Sequence, residues 1–170
     1  IKSLYEICPL MGLKTYLGGN TEVKYVKGYY VPEKPKTFDQ NWQATSLDDL
    51  ENTNVGLAVR DEEHQEENWK REDEERLAKL EKEKVEIHEK NQKLFAEALE
   101  AVKDADAVIY VGGLNHDIDS EGFDRSDMKL PYEQDILIEE LLKVRSDMIV
   151  TFVGGSPVEM PWRNHAKAIL

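Results

Sequence analysis

The chain of 170 residues is long enough for one domain with a hydrophobic core, and 40% of its residues are hydrophobic. Its formal net charge of −13 argues against binding to nucleic acid or to an anionic membrane surface, because both need a basic patch. The single cysteine, Cys8, excludes an intrachain disulfide and a CxxC metal cluster, and its apolar neighbours predict a buried, inert thiol.

Residues 3–17 are predicted to form a helix, since leucine and isoleucine recur at steps of three and four residues. Pro9 is expected to break or restart this helix, and the Gly-Gly-Asn sequence at 18–20 predicts its end. The alternation in residues 21–30 predicts a strand. Both ends of the chain look cut, because it begins with isoleucine rather than methionine and ends within a helix or strand in progress.

Residues 31–50 are rich in turn-forming side chains and predict a loop, and a short strand is expected at 55–59. The excess of charge is concentrated in residues 61–90, which contain 13 acidic and 7 basic side chains. High helix propensity and Glu/Lys pairs four residues apart predict a helix that continues to about Val102. Its best apolar face consists of Leu94, Phe95, Ala98, Leu99 and Val102.

A coiled coil is the alternative interpretation of this charged helix. One seam is apolar at a spacing of seven residues: Leu80, Ile87, Leu94 and Ala101. The companion seam is interrupted, because Leu77 is followed by Lys84 and Asn91 at the next two steps. A dimeric coiled coil needs both seams apolar, so we favour a solvated, monomeric helix with one narrow face on its own domain.

The last third of the chain predicts an α/β fold. Residues 104–114 and 146–162 each contain a continuous apolar run followed by Gly-Gly, which is typical of buried parallel strands. Pro131 is expected to start the helix between them. The inward face of that helix comprises Ile136, Leu137, Ile138, Leu141, Leu142 and Val144. This order predicts a right-handed crossover in a mostly parallel sheet flanked by helices.

Ligands of open α/β sheets bind outside the carboxyl ends of the strands, and the loop after the first strand is rich in charge. It carries His116, Asp117, Asp119, Glu121, Asp124, Arg125 and Asp127. A calcium loop would require a bidentate glutamate at its end, which is lacking, and one histidine is too few for zinc. Neither VGGL nor VGGS is a phosphate-binding loop.

Two interpretations of the acidic loop stay open from the residues alone. The first is a solvated loop held by an ion pair of Arg125 with Asp124 or Asp127. The second is acid/base chemistry by Glu121, whose neighbour Gly122 lets the carboxyl project into the cleft of another domain.

The stretches ADAVIYVGGLNHDIDSEGFDRSDMKLPYEQDILIEELL and VTFVGGSPVEMPW resemble the second, α/β-sandwich domain of family 3 glycoside hydrolases, particularly bacterial β-glucosidases. The resemblance covers residues 104–170, and the leader PLMGLKTYLG…TEVKYVKGYY is similar to the entry to that domain. It implies a retaining, exo-acting β-glycosidase without cofactor or metal. The expected partners are a β-linked glycoside substrate and an N-terminal TIM barrel of the same protein.

The resemblance also implies roles for individual residues. In many members of the family the SEG loop supplies the catalytic acid/base, which matches Glu121, while the barrel supplies an aspartate nucleophile. Asp124, Arg125 and His116 are assigned to loop shaping or substrate binding. Retention needs two carboxyl groups about 5–5.5 Å apart. Because no nucleophile segment is present, we expect the isolated chain to be inactive.

The chain departs from the family pattern in two places. Residues 32–95 do not match the usual short connection and are predicted to be a variable, acidic, largely helical insertion. The family's remaining α/β segments do not follow, so residues 1–170 are expected to be one incomplete domain without its barrel. Two rivals are a non-enzymatic interaction domain that uses the acidic helix and a flavodoxin-like binding domain. For the full-length protein a periplasmic or secreted location is favoured over a cytoplasmic one.

Overall fold

The computed structural model describes residues 7–33, 65–119 and 125–170. The chain divides into two compact units, residues 1–30 with 87–170 and residues 31–86. In chain order the elements are α1 (Pro9–Leu17), a 3₁₀ turn (Gly18–Asn20), α2 (Gln65–Ala101), β1 (Ile109–Gly113), α3 (Gln134–Val144), β2 (Ile149–Val153) and β3 (Ala168–Ile169). The predicted loop beyond residue 33 and the predicted strand at 55–59 lie outside the described residues.

Helix α1 begins at Pro9, as expected for a proline whose missing N–H is not needed in the first turn. It ends at Leu17, and the next residue, Gly18, has φ 66°, a backbone conformation that glycine adopts without strain. None of the residues of α1 is buried. Cys8, immediately before the helix, is exposed, so the prediction of a buried thiol is wrong.

The strand predicted for residues 21–30 is wrong. The segment is irregular and pairs with none of the described strands. Its last backbone amide, Tyr30 N, donates to Asn91 Oδ1 at 2.7 Å instead, and the ring of Tyr29 stacks on Tyr132 with centroids 6.3 Å apart. Side-chain contacts, rather than a neighbouring strand, therefore hold the end of this segment. An alternating sequence pattern does not show whether a neighbouring strand is present.

Helix α2 contributes residues to both compact units. In the unit 31–86, the apolar side chains of α2 that the structure describes are largely solvated, with Leu77 56%, Leu80 46% and Val85 58% exposed. A helix is thereby confirmed for the described part of the predicted range. The prediction that it is monomeric stays a prediction.

The C-terminal part of α2 belongs to the unit that contains the sheet. Ala98 and Val102 are buried in the hydrophobic core, and Phe95 and Leu99 pack against it, which confirms most of the predicted apolar face. Leu94 is only partly buried. Asn91 and Ile87, one and two turns before Leu94, are buried as well.

The three strands form a parallel sheet in the order β1-β2-β3, which confirms the predicted parallel arrangement. Ile109 pairs with Ile149 and Gly113 with Val153. One face of the sheet is covered, since Tyr110 and Val150 are 6% and 0% exposed. The first strand is not buried on both faces as predicted, because Ile109 and Val111 remain 43% and 40% exposed.

Helix α3 packs on the covered face of the sheet. It begins at Gln134 rather than at Pro131, because Tyr132 and Glu133 have φ values of 61° and 60°, which a right-handed helix excludes. Ile136 and Val144 are exposed, so their predicted inward orientation is wrong. The core comprises Ala98, Val102, Tyr110, Leu130, Leu137, Ile138, Leu141, Leu142, Met148, Val150 and Trp162.

Candidate functional site

The carboxyl ends of β1 and β2 lie side by side in the sheet. Leu114 N donates to Val153 O at 2.8 Å, so the chain leaves both strands at the same edge. Gly113 has φ 129°, and a Cβ there would lie 2.0 Å from Val153 O. Only glycine permits this approach of the two backbones. The long loop 114–130 therefore starts from a point that is fixed against β2.

A buried glutamine side chain holds the end of β1 from the other side. Gln134 Oε1 accepts from Gly113 N at 2.8 Å and from the Tyr110 hydroxyl at 3.0 Å, and its Nε2 donates to Gly113 O at 2.8 Å. Gln134 is fully buried. Burial raises the pKa of Tyr110, so the phenol stays protonated and can donate. Every polar atom of the Gln134 amide has a backbone or hydroxyl partner here.

The first turn of the loop is built around Asn115. Its carbonyl oxygen accepts from Ile118 N at 3.0 Å and from Asp119 N at 2.9 Å, and its Oδ1 accepts from Asp117 N at 3.1 Å. Asn115 Nδ2 donates to the Tyr132 hydroxyl at 3.0 Å. An asparagine that bonds its own following backbone favours a tight turn. Residues 115–119 are thus ordered by local hydrogen bonds.

Asp119 connects the loop to the end of β2. Its Oδ2 accepts from Gly155 N at 2.8 Å and its Oδ1 accepts from the Ser156 hydroxyl at 2.9 Å. A carboxylate that accepts two hydrogen bonds forms stronger contacts than a neutral acceptor would. Asp119 therefore attaches this part of the loop to the segment that follows β2.

Arg125 connects the other side of the loop to the same place. Its Nη1 donates to Ser156 Oγ at 3.1 Å and to Pro157 O at 3.0 Å, and its Nη2 donates to Lys129 O at 2.9 Å. Asp127 Oδ1 accepts from Lys129 N at 3.0 Å. The Asp127–Arg125 ion pair of the solvated-loop interpretation is not found among the residues that the structure describes.

The predicted site residues are therefore distributed as follows. Glu121 and Asp124 lie outside the described residues, Arg125 is partly buried against Ser156, and His116 is exposed. An open cleft of about 390 Å³ adjoins Arg125. Its described lining consists of Asp119, Arg125, Ser126, Asp127, Met128, Ser156 and Pro157.

Within 7–33, 65–119 and 125–170, no three His, Cys, Asp or Glu side chains come together so as to hold a metal ion. In the same ranges no helix combines the length and the apolarity needed to cross a bilayer.

The structural role of Asn91 was not predicted from the sequence. Sequence reasoning treated it as a polar interruption of a seam, yet it is fully buried. Its Nδ2 donates to Tyr132 O at 2.9 Å and to Glu133 Oε2 at 3.1 Å, while its Oδ1 accepts from Tyr30 N. It thereby holds the two left-handed residues before α3. Its alignment with Ile87, Ala98 and Val102 on one helix face was the available signal.

Asp135 at the start of α3 links the loop exit to the core. Its Oδ1 accepts from Trp162 Nε1 at 2.7 Å and its Oδ2 accepts from Leu130 N at 3.2 Å. Burial raises the pKa of Asp135, and these two hydrogen bonds oppose that effect only in part. The end of the loop at Leu130 and its beginning at Leu114 are thus each held by a backbone N–H that donates a hydrogen bond to a neighbouring element.

A model of the glycosyl hydrolase family 3 C-terminal domain matches residues 2–170. The thermostable β-glucosidase B of Acetivibrio thermocellus is 40% identical over 80 residues, which are 47% of this chain and 11% of that protein. A probable β-glucosidase H of Aspergillus clavatus is 42% identical over 85 residues, 49% of this chain and 10% of that protein.

Among solved structures, the β-glucosidase of Kluyveromyces marxianus in complex with glucose is similar, with a TM-score of 0.45 and 30% identity. The similarity covers 46% of this chain and 10% of that one. The chain therefore matches about a tenth of the length of these relatives. These similar proteins come from a bacterium and from fungi, so the similarity is not confined to the bacterial β-glucosidases predicted from the sequence motifs.

Proposed function

Because this chain belongs to the C-terminal domain family of family 3 glycosyl hydrolases, we propose that it supplies the catalytic acid/base, Glu121, to a retaining β-glucosidase. The whole protein would hydrolyse β-linked glucosides or related oligosaccharides from their non-reducing end. The nucleophile would come from an N-terminal barrel domain, which packs against the loop. Similar proteins named as β-glucosidases support the proposal.

The observation that carries the proposal is the attachment of both flanks of residues 120–124 at one point. Asp119 precedes this segment and Arg125 follows it, and both bind Ser156 beyond the carboxyl end of β2. Ligands of parallel α/β sheets bind at this edge. A carboxyl group presented there by a loop of fixed origin is suited to act in a cleft shared with a second domain.

In the proposed mechanism Glu121 acts twice. It first protonates the glycosidic oxygen while the barrel's aspartate attacks the anomeric carbon, and it then removes a proton from the water that hydrolyses the glycosyl-enzyme intermediate. Arg125 shapes the loop through its contacts with Ser156, Pro157 and Lys129. Asp124 and His116 are assigned to loop shaping or substrate binding.

Residues 32–95 remain assigned to an acidic insertion in this proposal. The separate compact unit formed by residues 31–86 supports that assignment. The core contacts of α2 beyond Ile87 indicate that its last turns serve the sheet-containing unit. Nothing in the proposed chemistry uses residues 65–86.

The decisive experiment replaces Glu121 by alanine in the full-length protein. Hydrolysis of a phenyl or alkyl β-glucoside, whose leaving group needs a proton, should fall by about 10²–10⁴-fold. Hydrolysis of dinitrophenyl β-glucoside should fall far less, and added azide should partly restore turnover because it attacks without a general base. Glu139→Ala, an exposed glutamate on α3, is the matched control. Equal losses with both substrates and no effect of azide would refute the assignment.

The isolated chain is expected to be inactive. A positioned general acid typically contributes only about 10²–10⁴-fold, and the aspartate that would form the covalent intermediate is supplied by the barrel. Incubation of the pure 170-residue chain with nitrophenyl β-glucoside should release no nitrophenol. Turnover that disappears in the Glu121→Gln variant would contradict this expectation.

A further inference from the structure

We infer that Ser156 is a positioning residue for the acid/base loop, because its hydroxyl joins the two flanks of that loop. The inference rests on the proposed function of Glu121. Neither the sequence motifs nor the family match assigns a role to this serine, which lies in the segment after β2, about thirty residues from the loop.

The Ser156 hydroxyl acts as donor and acceptor at the same time. Its Oγ donates to Asp119 Oδ1 at 2.9 Å and accepts from Arg125 Nη1 at 3.1 Å. Each bond has a charged partner, which makes it stronger than a bond between neutral groups. A methyl group can make neither bond, whereas a threonine hydroxyl can make both.

Neighbouring backbone groups reinforce the same connection. Asp119 also accepts from Gly155 N at 2.8 Å, and Arg125 also donates to Pro157 O at 3.0 Å. Three consecutive residues, 155–157, therefore hold both flanks. They follow β2 after one intervening residue, Gly154, and Val150 of that strand is fully buried in the core. The flanks are thus attached to the segment that leaves a strand of the core.

This attachment matters because a general acid works only within hydrogen-bond reach of the atom that it protonates. A displacement of about 1 Å can reduce the rate roughly 10²-fold. Five residues separate Asp119 from Arg125. Holding both of these residues on one hydroxyl restricts the positions that a carboxyl between them can reach. Loss of the hydroxyl should therefore impair proton donation more than it impairs the other steps.

The test compares Ser156→Ala with Ser156→Thr and with Ser146→Ala, an exposed serine between α3 and β2. In the full-length protein, Ser156→Ala should lower kcat/KM for phenyl β-glucoside about tenfold or more, within the range that a general acid contributes. The loss for dinitrophenyl β-glucoside should be under about threefold, since that leaving group needs little protonation. Ser156→Thr should restore the ratio of the two rates, and Ser146→Ala should leave it unchanged.

The ratio of the rates for the two glucosides distinguishes a positioning role of Ser156 from a general loss of folded protein, because unfolding lowers both rates equally. Glu121→Ala is measured in parallel, and the double variant Glu121→Ala/Ser156→Ala should show no further change in the ratio. If Glu121→Ala slows phenyl and dinitrophenyl β-glucoside equally, the proposed function is refuted. If that variant is selective but Ser156→Ala slows both substrates equally, slows neither, or is not rescued by threonine, the role of Ser156 is refuted while the proposed function stands.

Discussion

The same sequence, Val-Gly-Gly, occurs at the end of β1 and at the end of β2, yet the second glycine is held in a different way at each place. Gly113 lies in the interior with φ 129°, bonded through its N–H and C=O to the buried side chain of Gln134. Gly155 is exposed and donates its N–H to Asp119. The first end is fixed by the core and the second by polar contacts at the surface.

This difference shows that one repeated motif can serve two purposes. At Gly113 the missing side chain allows two backbones to meet, because a Cβ would lie 2.0 Å from Val153 O. At Gly155 a Cβ would meet a carboxylate oxygen of Asp119 at 2.9 Å, and that side chain can move. We therefore expect substitutions at the β1 end to change stability and substitutions at the β2 end to change activity.

The largest effect is expected from a matched pair of glycine substitutions. Gly113→Ala should destabilise the protein by more than about 4 kcal/mol, because it combines a left-handed backbone with a backbone clash. Gly155→Ala should cost less than about 1 kcal/mol. Urea unfolding followed by circular dichroism measures both.

The same pair also tests the division between stability and activity. Gly155→Ala displaces the Asp119 carboxylate and should selectively slow substrates with poor leaving groups, as Ser156→Ala does. If Gly155→Ala lowers the free energy of unfolding as much as Gly113→Ala does, the proposed division between a stabilising β1 end and a functional β2 end is wrong.

An intermediate loss of stability is expected from a substitution at a second buried position, Asn91 on α2. Asn91→Ala should cost about 2–3 kcal/mol, because Tyr30 N and Tyr132 O would lose a buried hydrogen-bond partner. Its neighbour Gln92 is exposed, and Gln92→Ala should change the free energy of unfolding by less than about 0.5 kcal/mol. Equal values for the two variants in urea unfolding would show that Asn91 does not hold the turn before α3.

The smallest effect is a dependence on pH. Because burial raises the pKa of Asp135 above its ordinary value of 3.8, its contribution to stability is present below that value and is lost as the pH rises through the folded-state pKa. The stability of the protein relative to Asp135→Asn should therefore decrease from pH 3 to pH 7.

Asp147 provides a control of opposite sign. Its hydrogen bonds with Arg145 hold the pKa of Asp147 below the ordinary value, so its contribution is lost as the pH falls. Relative to Asp147→Asn, the protein should gain stability as the pH rises from 3. Parallel slopes for the two variants, measured by urea unfolding at each pH, would contradict one of the two assignments.

Sequence reasoning succeeded where a pattern reports on a residue's own surroundings. Apolar periodicity located α3 and most of its buried face, and the continuous apolar runs located β1 and β2. The same reasoning failed at residues 21–30, where alternation occurs without a neighbouring strand. It also placed the start of α3 at Pro131, since local propensity does not reveal the left-handed turn that Asn91 holds.

The sequence by itself determined the α/β order of the last third, and its motifs indicated the family and the loop that carries Glu121. The tertiary structure alone decided how that loop is held. Asn91 contacts a residue 41 positions away, and Ser156 contacts residues 31 and 37 positions away. Hydrogen bonds between such distant residues form only when packing of the core brings the elements together. A polar side chain therefore looks the same in the sequence whether it is solvated or joins two parts of the fold.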